Sequence, residues 1–173
     1  RHCRHLQYGD AVFTYRPPSV DDVEWITKAC QDADILRFTE VPRPYTEEHA
    51  RRFVNDWAGE LRVWTIRDAR TDEGLGMICV HHVRESIATV GYWVAPWGRR
   101  RGAAYEALRF VCEELATWPD VSIVRAMIAS TNDASQRVAR RAGFAESVVS
   151  HDTQCPDGER SVSAMVFERI LNS

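Results

Sequence analysis

Three short apolar segments, each separated from the next by a polar turn, constrain the fold of this chain more than any other feature of its sequence. They cover residues 61–68, 75–83 and 87–95, and the turns between them contain Asp72, Gly74 and Ser86. Strands joined by such short turns pair antiparallel. Residues 101–117 then repeat apolar side chains at helical spacing, and another apolar segment follows at 121–128. A meander that leads into a strand–helix–strand connection predicts a mixed α/β sheet.

Capping residues and turns indicate where the other elements begin and end. Ser19 starts a predicted helix that runs to about Gln31, and Thr46 starts a second helix. Asn132 caps a helix that ends at Gly143. In all, we predict about seven strands and about four helices. The remaining strands are expected at 11–16, 144–150 and 160–171, with a turn at 155–158 and a loop at 37–45.

The length and composition of the chain fit one domain. The 173 residues, 45% of them hydrophobic, are enough for one well-buried core and too few for two ordinary domains. We therefore assign residues 1–173 to a single domain and interpret the polar residues 1–10 as an N-terminal extension.

Charge and cysteine content argue against several classes of function. The formal net charge is −3, so nucleic acid is not expected as a partner. No apolar run approaches the roughly 18 residues that span a bilayer, so no membrane partner is expected. The five cysteines are scattered, without zinc-ligand spacing. We interpret them as reduced thiols, predict no metal site, and expect a cytoplasmic protein.

The segment 94–104 joins a strand to the long helix and has the chemistry of an anion-binding loop. It contains three consecutive arginines, followed by Gly102 and two alanines where the helix begins. A helix N-terminus presents unpaired N–H groups and a partial positive charge, and small residues let an anion approach the backbone. The nucleotide P-loop pattern Gly-x-x-x-x-Gly-Lys-Ser/Thr is absent. The segment therefore fits a diphosphate, and the alternative is a solvated basic helix start.

Motifs around this segment resemble those of one enzyme family. The spacing Arg99-x-x-Gly102-x-Ala104 resembles the Gln/Arg-x-x-Gly-x-Gly/Ala signature of the GNAT superfamily of N-acetyltransferases. The Gly-Tyr-Trp sequence at 91–93 resembles a strand of its RimJ/RimL-like branch, which includes the ribosomal-protein N-terminal acetyltransferases.

A later segment supports the same resemblance. Asn132-x-x-Ser135 and the Gly-Phe pair at 143–144 resemble the Asn-x-x-Ser and Lys-x-Gly-Phe pattern of that branch. The resemblance implies the GNAT fold, with a mostly antiparallel central sheet that splays between its fourth and fifth strands. It also implies that acetyl-CoA, the acetyl-donor substrate, lies between those two strands, without a metal.

The resemblance further implies a set of contacts to the coenzyme. Backbone groups of Trp93, Val94 and Ala95 would pair with the pantetheine arm, and the Val94 N–H would polarise the thioester carbonyl. Asn132 and Ser135 would approach the arm and the thiol. The pyrophosphate would bind along the loop formed by Arg99, Arg100, Arg101, Gly102, Ala103 and Ala104.

Two positions depart from the family pattern. The implied reaction transfers acetyl from a thioester to an amine, and it needs a proton acceptor for the amine and a proton donor for the thiolate. Thr89 stands where many relatives have a glutamate base, and Ala139 stands where many have a tyrosine acid. Neither residue can perform that task.

Other residues are therefore candidates for the proton transfers. We predict Ser135 as the partner of the thiolate, Tyr92 as a further catalytic residue, and Glu85 as a base that acts through water. The alternatives for the base are His81, His82 and Asp152.

The sequence leaves the amine acceptor open. Residues 21–73 contain 13 Asp and Glu against 8 Lys and Arg, and this acidic half would suit a cationic amine. The resemblance favours a protein N-terminal α-amine. The alternatives are a small-molecule amine, such as an antibiotic or a polyamine, and a coenzyme-A-binding module with little catalysis. A homodimer also stays open.

Overall fold

The structure is a computed structural model, and it describes residues 11–147 and 152–172. The predicted extension, residues 1–10, lies outside these ranges, as does the end of the strand predicted at 144–150. The described residues form the strands β1 (Phe13–Arg16), β2 (Arg62–Asp68), β3 (Gly74–Arg84), β4 (Ile87–Val94), β5 (Ile123–Ala129), β6 (Ala145–Glu146), β7 (Gln154–Asp157) and β8 (Arg160–Ile170). They also form the helices α1 (Val23–Ala29), α2 (Ala33–Phe38), α3 (Glu47–Asp56), α4 (Ala103–Leu115) and α5 (Asp133–Arg141).

The strands form one mixed sheet, in the order β1-β2-β3-β4-β5-β8-β6, with β7 paired to β8 beside this path. Every described pair is antiparallel except β4 and β5, which are parallel. Parallel strands need a crossover connection, and α4 lies in the connection between these two. The predicted fold class is confirmed. No helix in the described ranges is long and apolar enough to cross a membrane.

Two apolar cores lie on opposite faces of this sheet. Along β3, Ile78 and Val80 belong to one core, whereas Met77 belongs to the other and Cys79 packs against it, because successive side chains of a strand point to opposite faces. The first core contains the buried stripe of α4 and residues of α5. The second contains residues of α1, α2 and α3. Helices therefore approach β4 from both faces.

Helix α2 is absent from the sequence-based prediction. It has only six residues, which is too short for a helical period to stand out. Its start is fixed by Asp32, whose carboxylate accepts the Ile35 N–H at 3.1 Å. Its end is fixed by distant contacts, because Arg37 Nε lies 2.5 Å from Asp157 Oδ1. Tertiary contacts thus define this helix more than local sequence does.

Strand β7 is also absent from the prediction, which places a turn at 155–158. Pro156 favours a turn, but a proline is tolerated in a strand that pairs on one edge, because its missing N–H removes no ladder bond there. Among the described strands, β7 pairs with β8 alone. The turn begins at Gly158, where φ is 66°.

A buried ion pair connects α1 to the sheet. Arg67 on β2 is 6% exposed, and its Nη1 lies 2.6 Å from Oδ1 of the fully buried Asp22. Asp22 also accepts hydrogen bonds from the Trp25 indole and the Ser19 N–H, each at 2.8 Å, and the second belongs to the predicted capping box. Burial alone would raise the pKa of Asp22, but the hydrogen bonds it accepts hold that pKa below its usual value.

Replacing Asp22 by asparagine is expected to lower the free energy of unfolding by about 3 kcal/mol, because the buried Arg67 loses its buried charged partner and keeps only the exposed Asp72. The control is Asp21→Asn, next to it in the chain but exposed, which should change stability by less than about 0.5 kcal/mol. Urea unfolding followed by circular dichroism measures both. Equal losses in the two variants would contradict the role of the pair.

Candidate active site

Strands β4 and β5 separate part of the way along their length. Within the described residues their pairing ends at Val90↔Ala126, although β4 continues to Val94 beside β3 and β5 continues to Ala129 beside β8. Beyond Val90, the facing edges of these central strands do not bond to each other. Backbone groups on such edges need partners, and an extended ligand can supply them. The predicted splay between the fourth and fifth strands is confirmed.

The open end of this gap leads to the N-terminus of α4. Helix α4 begins at Ala103, and its N-cap is Gly102, whose φ of 77° lies in the left-handed region. The first bond of the helical ladder runs from Glu106 N–H to Gly102 O, at 3.0 Å. The N–H groups of residues 103–105 therefore lie ahead of the ladder. Together with the helix dipole, they form an end that suits an anion.

Two of the three arginines in the loop already have carboxylate partners. Arg99 Nη2 lies 2.5 Å from Asp32 Oδ2 at the cap of α2, and Arg101 pairs with Asp68 at the end of β2. The hydrogen bond from Arg101 is the main reason why the pKa of Asp68 falls to about 2. Arg100 is exposed. The two pairs attach the loop to α2 and β2, so the helix backbone and Arg100 are the groups best placed to bind an anion.

The backbone groups predicted to pair with the pantetheine point in two directions. Ala95 N–H donates to Leu75 O at 2.7 Å, so it points toward β3. Because backbone groups of successive residues alternate between the two edges of a strand, the N–H and C=O of Trp93 also point toward β3. The N–H and C=O groups of Tyr92 and Val94 then point into the gap. Of the three residues predicted to pair with the pantetheine, Val94 therefore directs its backbone groups into the gap, whereas Trp93 and Ala95 direct theirs toward β3; Tyr92, which was not predicted for this role, also directs its backbone groups into the gap.

Tyr92 and Ser135 meet across the gap. The Tyr92 hydroxyl lies 2.8 Å from Ser135 Oγ and 3.2 Å from Ser135 O. Asn132 Oδ1 accepts the Ser135 N–H at 3.2 Å and caps α5, which places the serine in the first turn of that helix. Burial raises the pKa of Tyr92 to about 12, although the hydrogen bond to Ser135 opposes this. The phenol therefore keeps its proton at neutral pH.

Tyr92 and Trp93 point to opposite faces of β4, as strand alternation predicts. Tyr92 packs against the core that contains α4 and α5. Trp93 packs against the core of α1–α3, where its ring centroid lies 6.0 Å from that of Trp25. The face with α4 and α5 therefore carries the hydroxyl pair, and the other face carries the tryptophan.

Glu85 is not part of this site. It lies in the short turn between β3 and β4, at the end where β4 and β5 are still paired. The distance to Tyr92 along an extended strand is about 20 Å. This position corrects the prediction of Glu85 as a base. Thr89 and Ala139, the two positions that depart from the family pattern, are buried.

A second polar cluster includes a residue that the sequence did not indicate. His81 is the extra residue in a bulge of β3 between Val80 and His82. Its Nδ1 lies 2.6 Å from Glu60 Oε2 and 3.7 Å from Cys79 Sγ. Glu60 belongs to no motif, and only the fold brings it to His81.

The same cluster could be considered as a metal site, because Glu60, Cys79 and His81 offer ligand atoms within 4.8 Å of one another. Two ligands of a tetrahedral zinc ion lie about 3.4 Å apart, whereas the distance from the imidazole to the carboxylate is that of a hydrogen bond. Burial also raises the pKa of the Cys79 thiol, which lies 3.5 Å from Gly91 O. The arrangement is therefore a hydrogen-bonded cluster.

The other two candidates for the base are less well placed. His82 lies opposite Thr89, in the half of β4 that is paired with β5, and burial lowers its pKa. Asp152 is exposed ahead of β7.

Several solved structures share this fold at low sequence identity. RimL, a ribosomal L7/L12 alpha-N-protein acetyltransferase in complex with coenzyme A, has a TM-score of 0.80 and 18% identity over 94% of this chain and 96% of its own. The spermidine N-acetyltransferase from Vibrio cholerae, in complex with CoA and spermine, has a TM-score of 0.75 and 14% identity over 94% and 97%. The microcin C7 self-immunity acetyltransferase MccE, in complex with acetyl-CoA and AMP, has a TM-score of 0.80 and 13% identity over 93% of both chains.

The family assignment comes from the sequence itself. A search of curated proteins finds no match. Residues 13–145, however, match the family described as Acetyltransferase (GNAT) domain. This range contains β1–β5, all five helices, the gap and the loop that follows it. The chain therefore belongs to the GNAT family of acetyltransferases, which take their acetyl group from acetyl-CoA, and it resembles the RimJ/RimL-like branch.

Proposed function

We propose that this protein transfers the acetyl group of acetyl-CoA to a primary amine, and that the acceptor is the α-amine of a protein N-terminus. One observation carries the first part: β4 and β5 separate beyond Val90, and the loop that leaves the open end of β4 leads to the N-terminus of α4. The strand edge suits the amide groups of a pantetheine arm, and the helix start suits the diphosphate. RimL and MccE, which were solved with coenzyme A and acetyl-CoA, share this fold.

Residues of the chain supply the groups that the transfer needs. Acetyl-CoA provides an activated acetyl group. The Val94 N–H, which points into the gap, would bind the carbonyl oxygen as negative charge develops on it. The hydroxyl pair of Tyr92 and Ser135 would donate a proton to the departing sulfur.

The second part, an α-amine acceptor, is supported by the side chains of β4. Thr89 is buried and has no acidic group, so this position offers no carboxylate to deprotonate a strongly basic amine. A lysine amine has an ordinary pKa of about 10.4, against about 8 for an α-amine, so at neutral pH the neutral fraction of the α-amine is about 200 times larger. A site with a weak base therefore favours the α-amine.

The acidic residues of the segment 21–73 give little support to a small polycation as the acceptor. Of the 13 acidic residues in 21–73, eight contact basic groups of the chain: Asp22, Asp32, Asp34, Glu47, Glu48, Glu60, Asp68 and Asp72. One cavity combines Asp21, Glu24 and Glu73 with two tryptophans. The Lys28 ammonium, however, lies 5.0 Å from the Trp97 ring centroid there, so a diffusible cation would compete with it.

Replacing Gly102 by valine is expected to weaken coenzyme A binding about tenfold, whereas Arg100→Ala should weaken it less. A β-branched residue at the φ of 77° strains the backbone by about 1–3 kcal/mol, and relief of that strain would move the N–H groups at the start of α4. No atom within 4 Å would meet the new Cβ, so the effect is one of conformation. Calorimetric titration with coenzyme A measures both variants.

A matched control is Gly158→Val in the turn between β7 and β8, where φ is 66° and the space around a Cβ is also empty. It should cost stability without changing coenzyme binding. A larger loss of affinity in Arg100→Ala than in Gly102→Val would contradict the backbone site.

Removing the Ser135 hydroxyl is expected to lower kcat about 100-fold with little change in coenzyme binding, since one of the two hydroxyls proposed to protonate the sulfur is lost. Tyr92→Phe should behave similarly. Ser122→Ala, at the paired end of β5, is the control and should keep full activity. Steady-state kinetics and coenzyme A titration separate the two effects, and unchanged kinetics in Ser135→Ala would rule out this role.

The acceptor can be identified with three peptides of one sequence: one with a free N-terminus and no lysine, one with a blocked N-terminus and a lysine, and one with both amines blocked. Mass spectrometry after incubation with acetyl-CoA is expected to show one added acetyl group on the first peptide only. A panel of polyamines and aminoglycosides should stay unmodified. Modification of that panel but not of the peptides would favour the small-molecule alternative, and no acetyl transfer at all would favour the coenzyme-binding module.

A further inference from the structure

The imidazole of His81 lies over Gly91 of β4. A Cβ built on Gly91 would lie 2.5 Å from His81 Nε2 and 2.9 Å from Cε1. The bulge in β3 makes this possible, because it removes His81 from the register in which His82 opposes Thr89. The ring thus stands where a side chain of β4 would stand, on the face that Thr89 and Trp93 share.

Glu60 fixes the orientation of this ring. Its Oε2 lies 2.6 Å from Nδ1, so Nδ1 donates its hydrogen to the carboxylate and Nε2 keeps a lone pair. The Cys79 sulfur lies 3.7 Å from Nδ1, but its own hydrogen is directed to Gly91 O at 3.5 Å. Nε2 therefore faces β4 as a hydrogen-bond acceptor, and the His81 side chain is 40% exposed.

The position of Nε2 relative to the hydroxyl pair suits an acyl transfer. Gly91 and Tyr92 are consecutive, and both lie just beyond the last β4–β5 pair. Tyr92 bonds to Ser135 on the face with α4 and α5, whereas His81 lies on the face with α1–α3. In acyl transfer the amine attacks the carbonyl carbon while the sulfur leaves. A proton acceptor and a proton donor are thus on opposite faces of one strand, at the start of the gap.

We propose that His81 accepts the proton of the acceptor amine through Nε2, and that Glu60 is its positioning residue. This inference rests on the proposed function. Imidazole gains and loses a proton near neutral pH, which matches an α-amine better than a lysine amine. The titratable groups around the ring are Glu60, Cys79 and the next residue along β3, His82, whose pKa His81 helps to lower after the larger effects of burial and Arg84.

The reaction transfers acetyl to nitrogen and removes two protons from the ammonium group. Nε2 of His81 takes one proton from the ammonium group, which leaves a neutral nitrogen. The nitrogen forms the C–N bond, and the C–S bond breaks with its electron pair on sulfur. The Tyr92–Ser135 pair gives a proton to the sulfur, the nitrogen loses its second proton to solvent, and solvent returns one proton to the Tyr92–Ser135 pair. His81 then releases its proton to solvent, so one proton is released for each ammonium group acetylated.

Kinetic measurements on His81→Gln test the inference. We expect kcat/KM for an N-terminal peptide to fall about 100-fold, with unchanged affinity for coenzyme A. The loss should shrink for peptides whose α-amine is less basic, since such amines need less help to lose a proton. A purely structural role of His81 would reduce the rate equally for all amines. His49→Gln, a histidine change on α3, is the control and should keep the wild-type rate.

Two further measurements do not rely on the activity of the His81→Gln variant. In the enzyme without coenzyme, nitrogen NMR is expected to show the neutral His81 ring protonated at Nδ1, and Glu60→Gln should alter that preference. In His81→Ala, which opens space over Gly91, added imidazole should restore part of the rate. Treatment with a chelator should change neither the rate nor the NMR spectrum.

The outcomes separate this inference from the proposed function. A wild-type protein that acetylates no amine would overturn both. A wild-type protein that acetylates peptides, together with a His81→Gln variant that keeps its rate, would overturn the role of His81 alone. Loss of the rate on chelation would also overturn it, because the cluster of Glu60, Cys79 and His81 would then hold a metal.

Discussion

The parallel contact between β4 and β5, in a sheet whose other described pairs are antiparallel, determines the architecture of the site. β4 and β5 pair over a short stretch that ends at Val90↔Ala126 and then separate. A parallel pair requires a crossover, and the crossover is α4, so the helix N-terminus comes to lie at the open end of the gap. A strand edge for an extended arm and a helix end for a diphosphate are thus consequences of the same topology.

The two faces of β4 receive different chemistry because strand side chains alternate. Tyr92 reaches Ser135 on one face, and Trp93 packs on the other. The buried pair of Arg67 and Asp22 attaches α1 to that second face, and Arg99 attaches the loop to the cap of α2. The groups proposed as proton donor and as proton acceptor therefore lie on opposite faces of β4, with Ser135 on α5 and His81 on β3, and separate sets of contacts hold them.

Many elements of the fold and the loop before α4 could be predicted from the sequence, because their signals are local. Turn spacing predicts the meander, Asn132 predicts the start of α5, and Gly102 with the two alanines after it predicts the start of α4. Predictions failed where the outcome depends on residues far apart in the chain. Helix α2 depends on Arg37 and Asp157, and the pairing of Glu60 with His81 depends on a bulge that no motif indicates. The backbone directions of Trp93 and Ala95 needed the register with β3, which sequence alone does not specify.

The contact between His81 and Gly91 links two positions that would otherwise vary independently. Any side chain at position 91 would collide with the imidazole in the orientation that Glu60 holds, since even a Cβ would lie 2.5 Å from Nε2. An ionisable group can therefore lie over this part of β4 from β4 itself or from the β3 bulge, but a side chain at position 91 would force the imidazole out of the orientation described here. Among related chains, a histidine in the bulge should occur together with glycine on the strand beside it, and a substitution at one position should be compensated at the other.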